Sequence, residues 1–161
     1  MNFVIQRRLV GLLATCPLAL LAVMPGETIA QPSGRTGSVQ VEAGLKIRID
    51  VDGTRVIVYL DDNKTARDFI SLLPLTLTLE DYAATEKIGY LPRKLSSSDA
   101  SAGISPRTGD VTYYAPWGNL AIFHKDFRYS PGLVKLGSIR DGIDVLRRNG
   151  RFSVTISLAD E

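Results

Sequence analysis

The chain has 161 residues, a hydrophobic fraction of 45% and a formal net charge of +2. These values fit one domain with a packed core and exclude a polyanion-binding protein, whose basic stripe would dominate the charge balance. One cysteine and one histidine exclude an intramolecular disulfide framework and a Cys/His zinc site, so no metal and no cofactor are expected.

In chain order, Arg7 and Arg8 precede an apolar run from Leu9 to Met24, and Thr28-Ile29-Ala30 puts small residues at the −3 and −1 positions of a cut after Ala30. That layout predicts a secretory signal peptide over residues 1–30. The run falls short of the ~20 residues that cross a bilayer, so membrane contact is expected only through this segment if it stays uncleaved. A lipoprotein-type cut before Cys16 and a twin-arginine signal fit the residues less well than general secretion. Cleavage removes Arg7, Arg8, Glu27 and Cys16 and lowers the formal charge to +1. A mature chain without cysteine suits an oxidising compartment, periplasmic or extracellular.

Residues 31–43, rich in Gly, Ser and polar groups, read as a flexible linker, and residues 44–161 as the folded domain. Leu45, Ile47, Ile49 and Val51 alternate with polar residues, as in a half-buried strand. Asp52-Gly53 marks a tight turn, and Thr54 to Leu60 is the return strand. A helix follows, with Thr65 as its cap, Ala66, Phe69, Ile70 and Leu73 at helical spacing, and Pro74 at its end. Asn63-Lys64-Thr65 also matches a glycosylation sequon, but capping explains Thr65 better. Leu75, Leu77 and Leu79 alternate in a strand, Lys87 to Leu91 gives a short one, and residues 96–109 form a long loop. Asp110 to Ala115 and Leu120 to His124 are strands joined by Pro116-Trp117-Gly118-Asn119, and Leu133 to Ile139 is another. Asp141 to Arg148 reads as a second short helix, and Phe152 to Leu158 as the last strand. Seven or eight short strands of this kind close into a sandwich or barrel.

No complete catalytic motif is present: there is neither a nucleophile elbow nor a phosphate-cradling glycine loop. The carboxylates read as structural: Asp61 and Asp62 lead into the helix, Glu80 and Asp81 point to opposite faces, and Asp110 orders a turn. The densest aromatic stretch holds Tyr113, Tyr114, Trp117, Phe123, Phe127 and Tyr129. Trp117 lies in a Pro-Trp-Gly turn that resists full burial, and aromatics with polar tips at a barrel mouth suit a peptide or small ligand. Arg93 could supply a donor beside such a groove. His124 is the one imidazole; it has no evident partner group and reads as hydrogen-bonded or solvated. The candidate ligand-binding set is therefore Arg93, Tyr113, Trp117, Phe123 and His124, with no catalytic residue assigned.

Four stretches carry a resemblance: Tyr59 to Phe69, Leu72 to Tyr82, Glu86 to Arg93 and Gly109 to Phe123. In order they resemble the bacterial cyclophilin-like domain family over residues 45–158. The resemblance implies a mainly β fold, a small closed or nearly closed cyclophilin-like β-barrel with two short helices. It does not imply isomerase activity. The Phe-rich segment with the catalytic Arg and the Gln-Gly-Gly segment of true cyclophilins are not readable here, and fold alone does not assign function. Three expectations follow for an exported protein: a non-catalytic module binding a small molecule or peptide, a cell-envelope peptidyl-prolyl isomerase, or an interaction partner recognising another envelope protein through a strand edge.

Overall fold

The computed structural model describes residues 44–160. The expected signal peptide at 1–30 and linker at 31–43 lie outside the described residues.

β1 (Lys46–Val51) and β2 (Thr54–Leu60) form the expected hairpin. Asp52 and Gly53 both take positive φ, 46° and 82°, the pairing whose twist matches that of the flanking strands. The helix α1 (Lys64–Ile70) is capped by Asn63, whose Oδ1 accepts from the Ala66 backbone N–H at 2.8 Å. Thr65, the expected cap, lies inside the helix instead and donates to the Ser96 carbonyl at 2.9 Å. Asn63 is the better cap because its Nδ2 also donates to the Lys135 carbonyl at 3.0 Å, tying the helix to the sheet.

The remaining strands are β3 (Leu75–Tyr82), β4 (Glu86–Tyr90), β5 (Gly103–Ile104), β6 (Asp110–Tyr114), β7 (Asn119–Phe123), β8 (Ser130–Pro131), β9 (Leu133–Ile139) and β10 (Phe152–Leu158). The second expected helix is a five-residue 3-10 turn, Ile143–Arg147, anchored by buried Leu146. The expected long loop at 96–109 contains β5, which pairs with β8 as a separate two-stranded sheet.

Eight strands close in the order β1-β10-β3-β4-β7-β6-β9-β2. Strand alternation sends every second side chain inward. Ile47 and Ile49 of β1, Val58 of β2, Ile156 of β10, Leu79 of β3 and Ile122 of β7 are all fully buried there. α1 plugs the interior with Phe69, also fully buried. A bulge in β9 opposite Val111 and Thr112 fits Leu136 in as an extra residue, and its side chain joins the core.

The seam between β2 and β9 is short: Val58, Tyr59 and Leu60 face Ile139, Ser138 and Gly137. At Gly137 a Cβ would lie 2.3 Å from the Tyr59 carbonyl oxygen and 2.8 Å from the Leu60 Cα. Only glycine lets the two backbones approach this closely. Gly137→Ala is expected to lower unfolding stability by about 2 kcal/mol or more, through overpacking against backbone that cannot rotate away. The control Gly44→Ala meets nothing nearer than 4.0 Å and should leave the urea midpoint unchanged.

Candidate functional site

The barrel interior takes Lys87 and Gly89 of β4, Leu120 and Ile122 of β7, and Val111 and Tyr113 of β6. The partners in the alternation therefore face outward. Register fixes them into rows, because directly paired residues share a face. Glu86 pairs with Tyr82 on one side and Phe123 on the other. Ile88 pairs with Ala121, and Asn119 pairs with Tyr114. Most solvated sheet faces are polar, but this one is apolar and carries a second small core of Ile88, Ala121, Phe123 and Leu133, with Ile104, Tyr114 and Phe127 packed against it.

Ala121 in the middle of this floor is too small to fill the space between its neighbours. The result is a cavity of about 170 Å³. Its floor is Ile88 and Ala121, and its walls include Tyr82, Tyr114, Trp117, Phe123 and Phe127. The turn that carries Trp117 is shaped by Gly118 at φ 75°. The indole meets Tyr82 edge-on at 5.4 Å and Tyr114 edge-on at 5.4 Å. It is 48% exposed, so it forms a rim and leaves the pocket open to solvent. Phe123 and Phe127 stack at 6.3 Å on the other side.

Two acceptors stand in this apolar setting. The Glu86 residue is 9% exposed, and burial raises its carboxyl pKa to about 7. Burial is the one cause of that shift, so among the described residues no neighbouring cation offsets it. Asn119 is 1% exposed; its Nδ2 donates to the Leu120 carbonyl, but its Oδ1 has no partner. Buried acceptors without donors are costly; the Glu86 carboxyl lines the open pocket, whereas the Asn119 Oδ1 beside it is closed to solvent.

The structure divides the five residues singled out from the sequence. Trp117 and Phe123 line the pocket. Tyr113 instead points into the barrel, 1% exposed, and its hydroxyl accepts from the Leu95 backbone N–H at 3.0 Å. Arg93 forms a fork on Asp68, with contacts of 2.6 and 3.0 Å, and donates to Ser71 at 2.7 Å. The hydrogen bond from Arg93 to Asp68, followed by that from the Ser96 backbone N–H, holds the Asp68 carboxyl at about 2. Arg93 thus pins the chain after β4 to α1. His124 lines a separate recess with Asp81, Lys125 and Arg147. Burial first, then Lys125 and other nearby cations, lowers its pKa and keeps the ring neutral at pH 7. Sequence reasoning missed Glu86, Asn119 and Ala121. The signal that existed for Glu86 was a carboxylate two residues before Ile88 on a strand whose outer face would otherwise be apolar.

The raised pKa of Glu86 has a definite sign in stability. The folded state keeps a proton that the unfolded chain releases near 4.5. This contribution is therefore complete below pH 4.5 and is lost as pH rises through about 7. Urea unfolding of the wild type and of Glu86→Gln between pH 4 and 8 should show the wild type losing stability relative to the variant across that window. A difference between the two that does not change with pH would show a solvated carboxylate.

With fold and site in view, the relatives can be placed. A solved structure, the solution structure of the hypothetical protein AF2241 from Archaeoglobus fulgidus, is similar at a TM-score of 0.54 and 18% identity, covering 72% of this chain and 95% of that one. At that identity the likeness concerns the fold. No curated protein matches the sequence. Residues 49–157 match the Cyclophilin-like family, a span that runs from β1 through β10 and takes in both the closed barrel and the outer-face pocket. The chain belongs to the Cyclophilin-like family.

Proposed function

We propose that the protein is a non-catalytic binding module that takes a small molecule, or one side chain of a peptide, into the outer-face pocket. One observation carries this reading: a solvent-open aromatic pocket is lined by a largely buried carboxylate, Glu86, whose pKa is raised by burial with no cation to offset it among the described residues. The size supports a small occupant, since ligand pockets for drug-sized molecules run to about 300–1,000 Å³. Among the described residues no cationic side chain lines the pocket, and no hydrogen bond links its one serine hydroxyl, Ser130, to Glu86; the guanidinium of Arg93 is committed to Asp68. Docking through a strand edge finds little support, because the eight-stranded sheet closes on itself and leaves free edges, among the described residues, at the two-residue strands β5 and β8. Export is part of the same proposal, supported by the Arg7-Arg8 pair, the apolar run and the small residues before Gln31.

Trp117 is the single tryptophan and reports directly on the pocket. Titration with small-molecule and peptide pools is expected to give a saturable change in its fluorescence. Ala121→Leu fills the floor of the pocket from the outer face. It should weaken that binding by at least about tenfold, or about 1.4 kcal/mol, the loss of roughly two buried methylenes' worth of contact, while the protein stays folded. Absence of any fluorescence response would contradict the reading. So would acceleration of prolyl isomerisation in a proline-switch peptide assay, which would make the protein an enzyme.

A further inference from the structure

We propose that the occupant of this pocket presents a primary ammonium group, held between Tyr82 and Phe123 against the carboxylate of Glu86, with its hydrocarbon body over Ile88 and Ala121. This deepens the binding reading and rests on it. The geometry comes from strand register: Tyr82, Glu86 and Phe123 are consecutive partners in one row across β3, β4 and β7, so the carboxylate lies between two aromatic side chains on one face. Trp117 extends the aromatic wall from Tyr82. Aromatic faces attract a cation, and most strongly where it is desolvated. Among the described residues Glu86 is the one formally charged side chain lining the pocket, and it is nine-tenths buried. An ammonium satisfies it with charge-assisted hydrogen bonds. A carboxylate or phosphate ligand would meet a like charge with no cation to compensate. Asn119, two rows along the same face, adds an unpaired amide oxygen beside the pocket and no formal positive charge. The volume of about 170 Å³ is close to the ~150 Å³ of an engineered cavity that takes benzene, so the body should be about the size of one six-membered ring.

The surrounding charges leave the site to Glu86. Lys87, its neighbour on β4, turns inward and donates to Asp81 at 2.5 Å and to the Gly150 carbonyl. His124, Lys125 and Arg147, beyond the end of β7, line the separate recess with Asp81. Arg128 sits over the Phe127 ring at 5.3 Å and does not line the pocket. Tyr82 from β3 and Tyr114 from β6 are the other titratable groups in the walls.

The test uses three probes of one shape, cyclohexylammonium, cyclohexanol and cyclohexanecarboxylate, followed by Trp117 fluorescence and calorimetry on the intact protein. The ammonium is expected to bind at least about tenfold more tightly than the alcohol at pH 8, and the carboxylate not to bind measurably. Affinity for the ammonium should rise as pH increases from 5.5 to 8, because the cation binds the ionised form of Glu86. Glu86→Gln should reduce the ammonium to the affinity of the alcohol while alcohol binding persists, which separates a lost charge from a lost pocket. Equal or tighter binding of the alcohol or the carboxylate, or an ammonium affinity flat with pH, overturns the ammonium assignment and leaves the binding reading standing. Binding of none of the three probes, with no response to the wider pools, overturns both.

Discussion

Closing eight strands into one barrel commits every second side chain to a single interior, and the seam between β2 and β9 is where that closure is tightest. Three residue pairs hold it, and Gly137 is the point at which the backbones come within reach. Once the ring is closed, the inward half of each strand is spent on the core. Whatever the protein recognises must then lie on outward side chains, on the loops or at the barrel ends. The outward face of β4, β7 and β6 is where apolar side chains continue outside the core, under the cover of the loop that carries Phe127 and the β5–β8 pair.

This arrangement explains why the pocket contains groups that the fold does not satisfy. A charge in the core is paired, as buried Lys87 pairs with the exposed Asp81 at one barrel end. Glu86 is outside the core but under cover, so it is desolvated without a partner. Asn119 is in a similar position, with its amide nitrogen used by the sheet and its oxygen left over. On the proposed reading, a ligand completes what the fold leaves unpaired here, a trade often seen where a fold carries function.

Much of the fold was legible in the sequence because many strands bury one face. Ile47, Ile49 and Val51, and Phe152, Val154 and Ile156, alternate cleanly with polar residues. The site was less legible for the converse reason. β7, Asn119–Phe123, is buried on both faces, so its pattern shows no period that says which side chains point where. The aromatic cluster was found, yet Tyr113 and Tyr114 differ by one position and face opposite sides of the sheet. Sequence alone cannot set that parity; the pairing of Tyr114 with Asn119 does. Arg93 looked free beside a groove because its partner Asp68 is twenty-five residues away in the chain. The helix cap moved from Thr65 to Asn63 for a related reason, a tertiary bond from Asn63 to Lys135.

An unpaired carboxylate, Glu86, sits under an aromatic rim on the outside of a closed barrel. The most direct measurement is the titration of the Glu86 side-chain carboxyl carbon by NMR in the ligand-free protein. The account predicts a midpoint near 7. A midpoint at or below 4.5 would place Glu86 in water or beside a cation and would contradict it.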